Sequence, residues 1–122
     1  MINNKINGYL AYNEGYDVYV YYETLRSQPK IIYKGQELKQ YLRESNTGRN
    51  YYIVNVPTHG EQYVHKIAAY AYMKEAYNNL KLEGILKPVV DHLDNDPYNN
   101  ALVNLEWVSR RENALRAIEQ NK

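Results

Sequence analysis

Four polar side chains in the last third of the chain have the types and spacing needed for metal-assisted hydrolysis of a phosphate ester. They are Asp91 and His92, which are adjacent, followed by Asn104 and Asn113. Carboxylate and amide oxygens are hard donors that suit Mg²⁺ or Mn²⁺, with waters and phosphate oxygens completing the coordination. An imidazole that lies beside such an ion without binding it is a natural general base near neutral pH. A phosphodiester can be hydrolysed when one metal ion stabilises the charge on the leaving group and one imidazole takes a proton from the attacking water.

The elements around these side chains are predicted to run strand, polar loop, strand, helix. Pro88–Leu93 opens at a proline and predicts a buried strand, and Leu105–Val108 predicts a second one. The intervening Asp94–Asn100 is dense in loop-forming residues. Ser109 with Glu112 three residues later is a capping box, so the last helix is expected to begin at Ser109. We expect that helix to bury Ala114, Leu115 and Ile118.

The adjacency of Asp91 and His92 sets a condition on this arrangement. Neighbouring residues of a regular strand point to opposite faces, so both side chains reach one site only if the strand ends or twists there. The sequence Asp94-Asn95-Asp96-Pro97 is typical of a strand end. If the two strands pair as a hairpin and the helix packs across them, the four polar side chains can converge.

The first half of the chain is predicted to be rich in strands. Its aromatic and β-branched residues form short runs that end at turn-forming sequences, such as Pro57-Thr58-His59-Gly60. The predicted strands are Tyr16–Tyr22, Ile31–Tyr33, Asn50–Val56 and Glu61–Val64. The segment Glu37–Arg43 fits either a helix or a strand, and we favour a strand.

One helix is predicted between the two strand-rich regions, from Val64 to Tyr77, fraying into Asn78 and Asn79. Its apolar residues form one continuous stripe at helical spacing, made of Val64, Ile67, Ala68, Ala71 and Tyr72. Residues 80–87 are expected to be a connection.

The composition excludes several classes of protein. The chain has 122 residues, 44% of them apolar and 24% charged, which is ordinary for one globular domain. The absence of cysteine excludes a disulfide scaffold, a Cys-ligated zinc site and a thiol nucleophile. No apolar run approaches the ~20 residues of a membrane span, and the first nine residues lack a signal-peptide stretch, so a cytoplasmic protein is expected. The 15 tyrosines suit half-buried positions and wet interfaces, and a few of them suit nucleic-acid stacking.

The stretch from Val89 to Asn113 resembles the HNH (ββα-metal) endonuclease family. It is similar to the phage-type, zinc-free branch found in intron-encoded homing enzymes that nick double-stranded DNA. The resemblance rests on Asp91-His92, Asn99-Asn100, the run Asn104-Leu105-Glu106-Trp107-Val108-Ser109, and Asn113, with Tyr63-Val64-His65-Lys66-Ile67-Ala68 as an upstream match. The resemblance covers about residues 50–117.

This resemblance implies a role for each of the four polar side chains. Asp91 and Asn113 would be the protein ligands of a single divalent metal, Mg²⁺ or Mn²⁺, with no zinc. His92 would be the general base that activates water. Asn104 would fix the loop and orient His92. The products would carry a 5′-phosphate and a 3′-hydroxyl.

The chain departs from the family outside this motif. In the family's N-terminal DNA-reading module, Tyr16-Asp17-Val18 and Leu25-Arg26-Ser27 match, but the central Ser-Asn-x-Gly does not. The family's C-terminal helical DNA-binding repeats have no counterpart before Lys122. Sequence-specific homing is therefore not expected.

Basic residues predict where DNA would bind. Between residues 26 and 49 there are six cationic side chains and only two acidic ones, Glu37 and Glu44. The whole chain, by contrast, has a net charge of only +1. Phosphate contacts of this kind supply affinity and register on DNA, and the near-neutral total predicts modest, salt-sensitive binding. The predicted DNA contacts are Arg26, Lys30, Lys34, Lys39, Arg43, Arg49, Asn100, Arg110, Arg111 and Arg116.

The sequence thus predicts a single α+β domain over residues 1–122. Its β-rich part (residues 1–63) would be a degenerate DNA-reading module, and residues 64–122 would hold a helix and the ββα-metal motif. The expected function is a metal-dependent DNA endonuclease or nickase, acting as a monomer or weak homodimer. Two alternatives stay open: a non-catalytic, HNH-derived phage protein that binds DNA or a host protein, and a structure-selective nuclease on branched DNA or RNA.

Overall fold

The computed structural model describes residues 9–11, 18–46, 48–57 and 59–120. They form a mixed α+β fold, which confirms the predicted fold class. The strands are β1 (Tyr9–Ala11), β2 (Val18–Tyr21), β3 (Lys30–Tyr33), β4 (Gln36–Glu37), β5 (Tyr41–Arg43), β6 (Tyr51–Val56), β7 (Gly60–Tyr63), β8 (Val89–His92) and β9 (Leu105–Val108). The helices are α1 (Val64–Tyr72), α2 (Lys74–Leu82) and α3 (Arg110–Gln120), with a 3₁₀ turn at Leu102–Asn104.

The described strands form three antiparallel sheets. The first sheet has the order β1-β2-β3-β4, the second sheet has the order β5-β6-β7, and β8 and β9 form a hairpin. In this hairpin Asp91 lies opposite Glu106, and His92 lies opposite Leu105. The strands predicted at Ile31–Tyr33, Asn50–Val56, Pro88–Leu93 and Leu105–Val108 are confirmed to within one or two residues at each end.

Two predicted strands differ from the structure or lie only partly within the described residues. The segment Glu37–Arg43 is not one strand, because Leu38, Lys39 and Gln40 separate β4 of the first sheet from β5 of the second sheet. The predicted strand at Tyr16–Tyr22 corresponds to β2, and its first two residues lie outside the described residues, as does Thr58 of the predicted turn.

The predicted helix from Val64 to Tyr77 is broken at Met73. Its residue Met73 has φ −130° and ψ 37°, and its N–H still closes the last turn of α1 on the carbonyl of Ala69 at 2.8 Å. A second helix, α2, then continues to Leu82, through residues that were expected to be a connection. The change of direction allows Tyr77 to pack against Trp107 of β9, with ring centroids 4.8 Å apart.

One buried cluster of apolar side chains connects all three sheets. It includes Val20 and Ile31 of the first sheet, Val54 of the second sheet, Ile67 of α1 and Trp107 of the hairpin. The Nε1–H group of Trp107 donates to the carbonyl of Ala69 at 3.3 Å, so its polar edge is satisfied inside the core. The hairpin is therefore held against α1 by packing that spans most of the chain.

The last helix begins as predicted but buries less than predicted. The hydroxyl of Ser109 accepts from the N–H of Glu112 at 3.0 Å, which is the expected N-cap. The expectation of a buried apolar face is wrong, because Leu115 and Ile118 are 47% and 62% exposed and Ala114 is also exposed. None of the helices in the described part of the chain is long and apolar enough to cross a membrane.

Candidate active site

The loop that joins β8 to β9 is held by the side chains of Asp94 and Asn104. The Nδ2 group of Asn104 donates to Asp94 Oδ1 and to the carbonyl of Asn99, both at 2.8 Å, and its Oδ1 accepts from the N–H of Asp94 at 2.9 Å. Asn99 adds a hydrogen bond to Asp94 Oδ2 at 2.9 Å. Desolvation alone would raise the pKa of Asp94, but the hydrogen bonds from Asn99, the N–H of Asp96 and Asn104 outweigh it and lower that pKa.

The connection between β2 and β3 also supports this loop. Gln28 accepts from the N–H of Asn100 at 2.8 Å and donates to Asn99 Oδ1 at 3.1 Å. The hydroxyl of Tyr22, a fully buried side chain, donates to the carbonyl of Asn100 at 2.5 Å. The hairpin loop is therefore fixed by residues that precede it by about 70 positions in the chain.

His92 is held by Asn100. Asn100 Oδ1 lies 2.8 Å from His92 Nε2, and because this oxygen only accepts, Nε2 carries the hydrogen and Nδ1 keeps its lone pair. His92 is only 3% exposed. Burial lowers the pKa of His92 below its ordinary value, and the hydrogen bond that His92 donates to Asn100 opposes this shift. The imidazole is therefore neutral at physiological pH and able to accept a proton.

His65 forms part of the wall behind His92. The two imidazole centroids are 5.0 Å apart, and the ring of Tyr51 lies 5.2 Å from His65 and 6.1 Å from His92. Burial is the main reason that the pKa of His65 is lowered to about 3, and electrostatic repulsion from His92 and Lys66 acts in the same direction. Its Nδ1 atom is buried without a hydrogen-bond partner among the described residues. His65 is thus a neutral packing partner of His92 and Tyr51 in this structure.

Asp91 leaves β8 on the side that faces α3. Its Oδ2 atom accepts from Arg116 Nη1 at 2.9 Å, and the same guanidinium contacts Glu106 at 2.6 Å and Glu112 at 3.0 Å. Hydrogen bonds to Asp91 and Glu106 raise the pKa of Arg116, so this cation is permanent. Within the described part of the chain, no group hydrogen-bonds the other carboxylate oxygen, Oδ1, of Asp91.

A cavity of about 130 Å³ at the end of β8 brings several predicted residues together. It is lined by Arg49, Tyr51, Val90, Asp91, His92, Asn95, Asn113 and Ala117. Asp91 and His92 therefore satisfy the condition set by the sequence: they leave the strand on opposite sides, and the cavity at its end reaches both. Asn104 does not line the cavity, and its hydrogen bonds are with the loop.

The donor set of this cavity fits a hard divalent cation. Asp91 and Asn113 contribute one carboxylate and one amide to the lining of this cavity, and its volume equals that of about four waters, so an ion and several waters can be accommodated. Across the described residues, no cluster of three or more His, Cys, Asp or Glu side chains has metal-binding geometry. An ion in this cavity would have Asp91 and Asn113 as its protein ligands, and water and phosphate oxygens would complete its coordination.

The predicted DNA contacts fall into three groups. Arg49 lines the cavity, and its guanidinium also donates to the carbonyl of Asn95 at 3.4 Å. Seven other residues are exposed on strands, on the connections between strands or at the start of α3, namely Arg26, Lys30, Lys34, Lys39, Arg43, Arg110 and Arg111. The remaining two correct the prediction: Asn100 is 1% exposed and holds His92, and Arg116 is occupied by three carboxylates.

Three residues of the site were not singled out as site residues from the sequence. Tyr51 and Asn95 line the cavity, and His65 packs against the proposed base. The alternation of Asn50–Val56 signals a strand, but only tertiary packing brings Tyr51 of the second sheet against His65 and His92. Asn95 has φ 62°, in the left-handed region that asparagine tolerates, which is a feature of the tight loop after β8.

Comparison with known proteins supports the sequence resemblance. Residues 86–115 match the family model described as HNH endonuclease. A solved structure described as DNA binding and cleavage by the HNH homing endonuclease I-HmuI is similar in fold, with a TM-score of 0.59 and 21% identity. The match covers 93% of this chain and 59% of that chain, so this chain spans well under two thirds of the homing endonuclease. No curated protein matches this chain.

Proposed function

We propose that this chain, whose residues 86–115 carry the HNH endonuclease motif, is a divalent-metal-dependent endonuclease that hydrolyses DNA phosphodiester bonds. The observation that supports this most is that Asp91, His92 and Asn113 line one cavity although they come from β8 and α3. A carboxylate, a neutral imidazole and an amide at one small cavity are the groups needed for a single-metal hydrolysis.

In this proposal Asp91 and Asn113 would hold the ion through their side-chain oxygens. The ion, when bound, supplies positive charge that stabilises the phosphorane-like transition state and the leaving 3′-oxygen. Arg116 holds Asp91 Oδ2, which fixes the rotation of the carboxylate and leaves Oδ1 for the ion. The ligand geometry would thus be set before the ion arrives.

His92 would act as the general base through Nδ1. Asn100 accepts the Nε2 hydrogen, so only Nδ1 can take a proton from a water molecule. Attack of that water on phosphorus would break the bond from phosphorus to the 3′-oxygen, and the leaving oxygen would take a proton from solvent. The products would then carry a 3′-hydroxyl and a 5′-phosphate. Arg49, on the same cavity wall, is suited to bind a non-bridging oxygen of the phosphate and orient it toward the water.

The proposed partner is DNA, and one engagement would cut one strand. One base and one pair of metal ligands serve a single phosphodiester, so a monomer would nick duplex DNA and a double-strand break would need two events. Exposed cations on the second sheet and at the start of α3 would contact phosphates on either side of the cavity.

The experiment is a plasmid-relaxation assay with Mg²⁺ or Mn²⁺. We expect supercoiled plasmid to become open circles, and we expect EDTA or His92→Ala to abolish the reaction. His59→Ala is the matched control, because this histidine lies in the β6–β7 turn and does not line the cavity. The proposal would be contradicted if the folded wild-type protein cut no DNA with either metal while the wild type and His92→Ala bound DNA equally well. That result would support the non-catalytic alternative.

A further inference from the structure

The second sheet has an outer face that is rich in aromatic and charged side chains. Cross-strand pairs lie on the same side of a sheet, and here Tyr41 pairs with Ile53 and Ile53 pairs with Tyr63. In the adjoining rows Arg43 pairs with Tyr51, and Asn55 pairs with Glu61. We call this set the outer face: Tyr41, Arg43, Tyr51, Ile53, Asn55, Glu61 and Tyr63.

The opposite face of the same sheet belongs to the core. Val54 and Val56 are almost fully buried there, and Tyr52 packs against the core cluster. On the outer face, by contrast, Tyr41 and Tyr63 are 46% and 37% exposed. Tyr41 and Tyr63 are therefore not needed to close the core.

A depression of about 220 Å³ lies on the outer face. Its lining includes Ile53, Arg43, Glu61 and Tyr63. Ile53 is on the central strand and 6% exposed, so it forms an apolar floor between the two flanking strands. The volume corresponds to about seven waters, which is enough for one planar ring system.

The rim of this depression combines a stacking surface with both kinds of hydrogen-bonding group. Tyr63 supplies the ring, Arg43 supplies donors and Glu61 supplies acceptors. The Arg43–Glu61 pair is long, at 3.4 Å, and both side chains are about half exposed. Such a pair is readily rearranged around a ligand that itself carries donors and acceptors on one edge.

The depression is next to the candidate active site. Tyr63 lines the depression, Tyr51 lines the active-site cavity, and their ring centroids are 5.6 Å apart in an edge-to-face contact. The linings of the two cavities are thus in contact through this pair of aromatic rings.

Cations surround the tyrosines of the outer face. Lys66 lies 5.5 Å from the ring centre of Tyr63, and Lys39 lies 5.3 Å from that of Tyr41. Arg49 adds a charge at the active-site side. Aromatic rings interleaved with cations are the combination that binds single-stranded nucleic acid, by base stacking and phosphate contacts.

We propose that the depression on the outer face binds one unpaired DNA base, stacked on Tyr63 with its edge at Arg43 and Glu61, while the adjoining phosphate enters the active-site cavity. Bases in a duplex stack on each other and expose no ring face, so the site selects DNA with unpaired nucleotides at the point of cleavage. Every base carries donors and acceptors on its edge, so binding is tolerant of sequence. This inference rests on the proposed nuclease function for the identity of the ligand.

The test measures binding without cleavage. In EDTA, fluorescence anisotropy of a labelled 12-nucleotide single strand and of the matching duplex gives the two dissociation constants. We expect the single strand to bind more tightly than the duplex, and Tyr63→Leu to weaken single-strand binding about tenfold with less than a twofold effect on the duplex. Tyr19→Leu is the matched control, because Tyr19 is 40% exposed on the first sheet.

A second variant covers the case in which Tyr63→Leu does not fold. Arg43→Met removes the donors of the rim at an exposed position, and we expect it to weaken single-strand binding about threefold. Tighter binding to duplex than to single strand, or equal losses in Tyr63→Leu and Tyr19→Leu, would overturn the inference. Because no cutting is measured, inactivity of the chain as a nuclease does not affect this result, and a plasmid assay that succeeds does not by itself support the base site.

Discussion

At the level of single side chains, two asparagines of the candidate site fill the two roles that the sequence predicted for one. These roles are to fix the loop and to orient the base. Asn104 was expected both to fix the loop and to orient the base. In the structure Asn104 holds Asp94 and the backbone of Asn99, while Asn100 makes the hydrogen bond with His92. The orientation of the imidazole and its tautomer therefore depend on Asn100.

Replacing Asn100 by leucine is expected to lower kcat by about 10- to 100-fold with little change in KM. The substitution removes the acceptor for His92 Nε2, so the imidazole loses its fixed tautomer, while the phosphate contacts remain. Asn100→Asp keeps an acceptor at the same position and should retain most of the activity. The measurement is steady-state nicking of a plasmid by both variants.

A spectroscopic readout separates this role from a purely structural one. Long-range ¹H–¹⁵N spectra of the wild-type protein should show His92 with its hydrogen on Nε2, and the Asn100→Leu variant should show a mixture of tautomers. An unchanged tautomer in Asn100→Leu, or an equal loss of activity in Asn100→Asp, would contradict the assignment of Asn100 as a positioning residue.

At the level of elements, α3 is attached to the hairpin largely through charge. Its apolar residues Leu115 and Ile118 are exposed, whereas Arg116 contacts Asp91 and Glu106 of the hairpin. Arg116 therefore links the helix that carries one proposed metal ligand to the strand that carries the other.

Arg116→Met is expected to lower the free energy of unfolding by about 1–2 kcal/mol, because Asp91 is mostly buried and loses its only charged partner among the described residues. The loss should shrink as salt increases, since screening weakens the pair in the wild-type protein. Urea denaturation at low and high salt measures both effects. Arg111→Met, at an exposed position of the same helix, is the control, and an equal loss there would contradict this role of Arg116.

The elements also show which features the sequence could and could not predict. Strands β8 and β9 and the cap at Ser109 follow from local patterns, and all three are observed. The break at Met73 has no such local signal, and the residue that packs beyond it, Tyr77, contacts Trp107, thirty residues further along. In the same way, Tyr51 reaches His92 only because the second sheet and the hairpin pack close to each other.

At the level of the whole molecule, the active-site segment shares its core with the rest of the chain. Leu102, Leu105 and Trp107 are buried in the same cluster as Val20 and Val54. The predicted division at residue 63 thus separates parts that bury each other's apolar surface, and burial of this kind is the main favourable contribution to folding.

A fragment of residues 64–122 is therefore expected not to fold alone. It would expose to water the apolar surface that the first two sheets cover, and its hairpin loop would lose Gln28 and Tyr22. The ¹H–¹⁵N spectrum of the fragment should show narrow amide dispersion, and the full chain should show wide dispersion. A well-dispersed spectrum and cooperative unfolding of the fragment would instead establish two domains.

The stability of the whole molecule should depend on pH through His65. The folded chain keeps His65 neutral down to a pKa of about 3, whereas the unfolded chain takes up a proton near the ordinary value of 6.5. Between these values the unfolded state binds more protons, so the free energy of unfolding falls as pH falls. His92, whose pKa is also lowered, acts in the same direction.

We expect the wild-type protein to lose about 2 kcal/mol more than His65→Phe between pH 7 and pH 5, where most carboxylates remain ionised. Phenylalanine keeps an aromatic ring against Tyr51 and His92 but cannot take up a proton, so it removes the linkage while retaining the packing. Urea denaturation of both proteins at the two pH values gives the difference, with His59→Gln as a control that should follow the wild type. If the free energy of unfolding fell equally in the wild type and in His65→Phe, His65 would have to be protonated in the folded chain. Its surroundings behind His92 would then have to contain water.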